Sequence, residues 1–296
     1  DWIDADNQPR EFGAEDDYYQ TLDRPYSVAN AVPQRITELL FVKGVTRRLL
    51  LGSQNTDPMA AGNQILQQTE LSDVDGNDGF ATDPAAASPG WKHFLTVHSA
   101  ERNSNQSGQP RIFLNGTDLK ELEQKLTAGL PANQVRYILL ARVYGLTLSA
   151  GPGVEPSAAP FSSSMVPAFS ITSVADLIDS TIQIPAASGG MVVQSPFQSE
   201  NSDSSTLMAT LFDQVTTFPE SVVYGRINIS TASEAVLSTL PGMTPEFTSQ
   251  IVTLRDSLEV PQSDSVAWLL SRNVLDVPTF RKMFPEITTD GDVFQC

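Results

Sequence analysis

Seven carboxylates, Asp1, Asp4, Asp6, Glu11, Glu15, Asp16 and Asp17, fall within the first nineteen residues, interleaved with Trp2, Tyr18 and Tyr19 and punctuated by Pro9 and Gly13. The chemistry open to such a set is coordination of a hard cation. Ca²⁺ takes roughly six to eight oxygens from carboxylates, amides and backbone carbonyls, and Asp1, Asp4, Asp6, Asn7, Glu15 and Asp16 supply that donor type. The plainer use of the same acids is capping and ion pairing with Arg10, Arg24 or Arg35. A disordered acidic arm would lack the aromatic residues, so the stretch is predicted to be a folded, oxygen-rich loop leading into a helix.

Other chemistry finds less support. Asp73-Val74-Asp75-Gly76-Asn77-Asp78-Gly79 carries oxygens at the first, third and fifth positions of an EF-hand loop, but the sixth position is Asp78 and the twelfth is Pro84. Glycine and a bidentate glutamate are needed there, so a polar turn is expected. The two histidines, His93 and His98, are five apart in a stretch predicted as strand and would face opposite sides, which leaves zinc hydrolysis without a ligand set. No serine sits in a G-x-S-x-G elbow, and no glycine-rich phosphate loop precedes a helix. Carboxylate pairs such as Asp4 and Glu15 fit an acidic surface loop better than acid and base catalysis. The expectation is a protein that is not an enzyme.

Asn115-Gly116-Thr117 and Asn228-Ile229-Ser230 match a glycosylation sequon, yet at strand-to-helix junctions such residues serve as turns and caps. Ser230 or Thr231 is the expected cap of the helix containing Glu234.

The elements that must position these residues are mostly helical. Ile36, Leu39 and Leu40 follow helical spacing between Pro33 and Gly44, and a second short helix is expected at Arg47 to Leu51. Residues 52–90 are rich in Asn, Asp, Gly, Ala and Pro and are expected to be a long polar insertion. Trp91 to Ser99 is β-prone and is predicted as a short strand. Arg111 to Asn115 then enters a hairpin of two helices: Leu119, Leu122 and Leu126 line the first, Gly129 and Pro131 make the turn, and Val135, Ile138, Leu139 and Val143 line the second.

The same plan recurs from Arg226, with a helix through Ala235 to Leu240, a Pro241-Gly242 turn, and a helix through Phe247, Ile251 and Leu254. Arg111 and Arg226, Ile112 and Ile227, and Leu122 and Leu237 all share an offset of 115 residues, which predicts an internal repeat of one hairpin unit. Between the repeats, Ser149 to Phe161 and Pro185 to Ser205 have linker composition, with a small helix expected at Ser173 to Ile182. The predicted division is therefore 1–148 for the acidic loop and first hairpin, 149–205 for the linker region, and 206–296 for the second hairpin ending at a strand.

Composition bounds the partners. The chain has 296 residues, 40% of them hydrophobic, enough for two cores. Thirty-five acidic against eighteen basic residues give a net charge of −17, a field that repels phosphate backbones and anionic lipid alike. Paired hairpins resemble helix-hairpin-helix units, which in many proteins bind DNA phosphates, but Leu240 to Ser249 contains no lysine or arginine and adds Glu246. No nucleic acid is expected. The single cysteine, Cys296, allows no internal disulfide, consistent with a reducing compartment or with a periplasmic protein that does without disulfides. No apolar run is long enough to span a bilayer, and the Asp start is expected to mark a segment cut from a longer chain.

Asp1-Trp2-Ile3-Asp4, Asp6, Pro9, Gly13-Ala14-Glu15-Asp16, Tyr18-Tyr19, Pro25-Tyr26, Asn30, Glu38-Leu39 and Lys43-Gly44-Val45 together resemble the stretch after the N-terminal helix in the general secretion pathway protein K family, the large minor pseudopilins of type II secretion. Arg226-Ile227-Asn228-Ile229-Ser230-Thr231-Ala232-Ser233 with Leu237 and Leu240-Pro241-Gly242 is similar to the family's second signature. The first hairpin, Ile112-Phe113-Leu114-Asn115-Gly116-Thr117, departs from the family's more regular Asn-Val-Asn-Thr-Ala run.

The resemblance implies a mainly α protein with short β-strands, its two helical-hairpin (helix-hairpin-helix or SAM-like) repeats forming the helical insertion of a pilin-like protein. It implies a non-enzymatic minor pseudopilin that caps the pseudopilus tip with the I- and J-type subunits and helps start assembly. It further implies a calcium-binding acidic loop, and a periplasmic location with an inner-membrane helix just upstream in a Gram-negative-type bacterium. The alternative function is a nucleic-acid-binding helix-hairpin-helix protein of an uptake or pilus-type machine.

Overall fold

The computed structural model describes residues 1–52, 89–201, 203–257 and 265–291. The EF-hand-like run at Asp73, nearly all of the expected insertion and Cys296 lie outside the described residues. The chain forms two compact units, Asp1–Val97 and His98–Cys296. Nine α-helices and eight strands of two to four residues among the described residues make the fold mainly helical with short strands.

The first unit has little regular structure. It contains helix α1 (Asp16–Tyr19), a 3-10 turn at Ile36–Phe41, helix α2 (Arg47–Leu51) and a 3-10 turn at Trp91–His93. Thr46 caps α2 by accepting the Leu49 N–H at 3.2 Å. Its core is small: Ala14, Tyr19 and Val28, with Trp2, Tyr18, Leu22 and Tyr26 packed around them. The strand expected at Trp91 to Ser99 is absent. The amides of His93, Phe94 and Leu95 bond back to Gly90 and Trp91, which coils the chain locally, and strand structure begins only at Ala100. Gly90 is required there, because a Cβ would stand 2.2 Å from the Gly52 nitrogen.

The second unit contains the main core. In chain order it comprises β1 (Ala100–Arg102), β2 (Ile112–Phe113), α3 (Leu119–Thr127), α4 (Ala132–Tyr144), β3 (Thr181–Ile184), β4 (Met191–Gln194), α5 (Ser204–Gln214), β5 (Val215–Thr216), β6 (Val222–Tyr224), β7 (Ile227–Asn228), α6 (Glu234–Leu237), α7 (Pro245–Arg255), α8 (Trp268–Ser271), α9 (Val277–Met283) and β8 (Ile287–Thr288). The strands pair two by two: β1 with β6 and β3 with β4 antiparallel, β2 with β5 and β7 with β8 parallel.

Helices lie on either side of each predicted turn, α3 and α4 about Gly129 to Pro131 and α6 and α7 about Pro241-Gly242. Asp118 caps α3 by accepting the Lys120 and Glu121 amides, and Leu119, Leu122 and Leu126 turn inward. Helix α4 buries Val135, Tyr137, Ile138, Leu139, Leu140 and Ala141, apolar contact on nearly every side, as befits a central helix. In the second hairpin Gly242 adopts a φ of 77° after Pro241, and Thr244 caps α7 with Pro245 in its first turn. The cap of α6 is Ser233, accepting from Val236, and neither Ser230 nor Thr231. The Asn228 side chain already binds the Ser230 amide, which shifts the helix start onward.

Residues 149–205 behave unlike a linker. Ile171, Val174, Leu177, Ile178, Ile182, Val193 and Phe197 are all buried in the main core, and no boundary between compact units falls there. In place of a helix from Ser173, Ser173 and Asp176 form a capping box around a 3-10 turn at Val174–Leu177. Asp179 then takes a φ of 43° and its carboxylate accepts the Ser199 amide, so the chain turns into β3. Gly, Ser and Pro around the short apolar runs masked this hairpin in the sequence.

Candidate functional site: an acidic loop on an aromatic base

The loop of residues 1–30 is built on stacked rings. Trp2 meets Tyr19 edge to face with centroids 5.4 Å apart, Tyr18 and Tyr19 lie 5.2 Å apart at 82°, and Tyr26 meets Phe41 at 5.6 Å. Tyr19 is 1% exposed, and its hydroxyl accepts the Lys43 amide at 3.0 Å. Burial pushes the Tyr19 phenol above its ordinary pKa, partly offset by that bond. The Tyr26 hydroxyl donates to the Phe41 carbonyl at 2.7 Å, and the Lys43 ammonium sits 4.8 Å from the Tyr18 ring centre. These contacts tie the first 43 residues into one piece without a large core.

On this base, Asp1, Asp4 and Glu15 each bring a carboxylate oxygen within 4.8 Å of the others. Gly13 makes room for the first of them, since a Cβ there would overlap the Asp1 carboxylate at 1.6 Å. The Arg10 amide donates to both Asp1 oxygens at 3.2 and 3.3 Å, and the Arg10 guanidinium pairs with Asp4 at 2.8 Å. Glu15 is 4% exposed, and neither carboxylate oxygen has a hydrogen-bond partner among the described residues. A buried carboxylate without a donor is costly, and its position beside two further carboxylates is the observation that fits a bound cation.

The other expected ligands go elsewhere. Asp6 accepts the Gln8 amide at 2.9 Å, Asp16 accepts the Val28 amide at 2.8 Å and so closes the loop onto α1, and Asn7 is exposed. His93 sits in a 3-10 turn and His98 follows it outside any strand, so the opposite-face argument does not apply, and neither joins the acidic cluster.

Sequence reasoning missed a second polar constellation, in the second unit. Glu101, 3% exposed, pairs with Arg226 at 2.5 Å and accepts a hydrogen bond from the Thr288 hydroxyl. Arg226 also donates to the Phe284 carbonyl at 3.1 Å and lies over the Phe284 ring. Burial holds the Arg226 pKa below its ordinary value, with Glu101 opposing that shift. The adjoining cavity, about 60 Å³ and bordered by Arg111, Asp213, Arg226 and Asp290, holds no more than a water or two. No local pattern marks Glu101, because its partners are more than a hundred residues away.

Two comparisons with known proteins bear on the first unit. The family model described as "Type II secretion system (T2SS), protein K" matches residues 1–52. A type II secretion system protein K from Pectobacterium carotovorum subsp. carotovorum is 52% identical over 54 residues, covering 17% of this chain and 16% of that protein. The match spans about a sixth of the length of that curated relative. No solved structure matches. The similarity is thus confined to the N-terminal segment, which comprises the acidic loop, the aromatic base and α2 and which matches the type II secretion system protein K family over residues 1–52.

Proposed function

We propose that this chain is the periplasmic region of a type II secretion minor pseudopilin, a non-enzymatic subunit that caps the pseudopilus tip with the I- and J-type subunits and helps initiate assembly. The observation that carries the reading is the family match over residues 1–52. Residues of that stretch interlock: Asp1 rests on Gly13, Trp2 on Tyr19, and Lys43 on Tyr18 and Tyr19.

In this reading bulk is the mechanism. A head of this size at the filament end blocks addition of another subunit above it, and the second unit supplies most of the bulk. Its two hairpins are read as copies of one unit, anchored alike. The Leu114 amide donates to Thr216 and the Ile229 amide to Thr288, each at 2.9 Å, beside a parallel two-residue pair. Arg142 from α4 and Arg255 from α7 each donate to carbonyls of the preceding strand-to-helix junction. The membrane anchor is placed in an N-terminal helix upstream of Asp1; no described helix is long and apolar enough to cross a membrane.

Calcium is the cation proposed for Asp1, Asp4 and Glu15, whose hard oxygens suit it. When bound it would neutralise the buried Glu15 carboxylate and brace the turn at Arg10 to Gly13. DNA binding is disfavoured by the turn at Leu240 to Ser249, which carries no lysine or arginine.

The test is light scattering behind size-exclusion chromatography on this region, mixed with the I- and J-type subunits proposed as its partners, in calcium. A stable ternary mass is expected. Separate elution with and without calcium would remove the tip assignment.

A further inference from the structure

Phe12 is anomalous in two ways at once. Residues 10–13 form a turn closed by the Gly13 amide on the Arg10 carbonyl at 2.9 Å. Phe12 stands third in it with a φ of 68°, a place that glycine or asparagine fills at little cost and a bulky side chain does not. The residue is also 89% exposed, the highest among the large apolar residues described. Backbone strain and apolar exposure therefore coincide with no return from within the molecule, and strain of this kind persists where function requires it.

The turn is held firmly from below. The Arg10 amide is bound to Asp1, the Arg10 guanidinium to Asp4, and the Gly13 carbonyl accepts the Lys43 ammonium at 3.3 Å. A ring presented on a fixed turn loses little freedom on binding, and single aromatic side chains seated in pockets dominate many interfaces. The flanking sequence is acidic on balance, with exposed Arg24 as its one base besides Arg10 in residues 1–24. Asp6, Glu11, Asp17 and Asp23 are exposed, while the one base of residues 1–23, Arg10, is paired with Asp4.

We propose that Phe12 is the anchor of a protein–protein contact, and that it enters an apolar pocket rimmed by lysine or arginine on a partner protein. The exposed carboxylates disfavour an anionic lipid surface as the occupant. The inference stands on the turn and its charge, and does not require the secretion reading.

The experiment replaces Phe12 with p-benzoylphenylalanine in the full-length protein in its own cells, with the same photoreactive residue at exposed Val166 as control. Irradiation is expected to give one dominant adduct from position 12 and not from 166, with the cross-linked peptide lying among apolar residues flanked by lysine or arginine. The partner so identified is then purified. Phe12→Asn should keep or raise the thermal midpoint, since asparagine tolerates this φ, while weakening that partner's binding at least tenfold. No adduct, an adduct within the same chain, a lipid adduct, or unchanged binding of Phe12→Asn would each overturn the proposal. The secretion reading is decided separately by the ternary mass. An adduct to a protein other than a pilin-like subunit thus supports the Phe12 contact without supporting that reading.

Discussion

Replacing Glu15 with glutamine tests the cation site through a change that depends on calcium in sign. In EDTA the wild-type chain buries a carboxylate that is 4% exposed and has no hydrogen-bond partner among the described residues. The amide removes that charge at nearly the same volume, so Glu15→Gln is expected to stabilise the loop by about 1–3 kcal/mol. With free calcium at a hundred times the wild-type Kd, the wild type gains about 2.7 kcal/mol by linkage. A variant whose Kd has risen a hundredfold through loss of one of three carboxylates gains only about 0.4 kcal/mol. The calcium-dependent difference between the two proteins is therefore about 2.3 kcal/mol, enough to cancel or reverse their order. Hydrogen exchange at the amides of Gly13, Tyr18, Tyr19, Gln20 and Val28, all bonded within the loop, reads this locally. Wild-type protection that is indifferent to calcium, or a Glu15→Gln effect identical in EDTA and calcium, would refute the site.

Two further outcomes are expected from the second unit. Burial pushes the Tyr137 phenol up to about 12, and the hydrogen bond that its hydroxyl shares with the Ser180 hydroxyl works the other way. Because the folded state holds this proton more tightly, its contribution is full below about pH 10 and is lost as pH climbs from about 10 to about 12, some 2–3 kcal/mol. Tyr137→Phe should remove that part of the alkaline loss in urea melts, and an unchanged alkaline limb would contradict the burial. At the Glu101 and Arg226 pair, Arg226→Met alone should cost about 3–5 kcal/mol by leaving Glu101 buried and unpaired. The double variant with Glu101→Leu should recover much of that cost, and additive losses in the double-mutant cycle would show that the two side chains do not act as a pair.

Much of this was legible in the residues alone. Helices α3, α4 and α7 announce themselves by apolar spacing, a capping Asp118 or Thr244, and turns marked by Gly129-Leu130-Pro131 and Pro241-Gly242, all of which act within a few residues of chain. The acidic loop was legible as a set of oxygens on an aromatic base, because carboxylates and tyrosines at that density have few other uses. The destination of each carboxylate was not. Asp16 and Glu15 are neighbours, yet Asp16 meets the Val28 amide while Glu15 turns inward toward Asp1 and Asp4. That choice depends on how the loop returns past Tyr19 and on the empty space at Gly13. The hairpin of β3 and β4, the two-residue parallel pairs and the buried Glu101 were equally hidden. A strand of two residues has no period to read, and Glu101 meets Thr288 and Arg226 only after more than a hundred residues have been folded between them. Local spacing and capping determine which segments coil and where they stop. The meeting of distant polar groups is decided only when the chain closes, because only then does burial remove water and leave each group the partners that the fold brings to it.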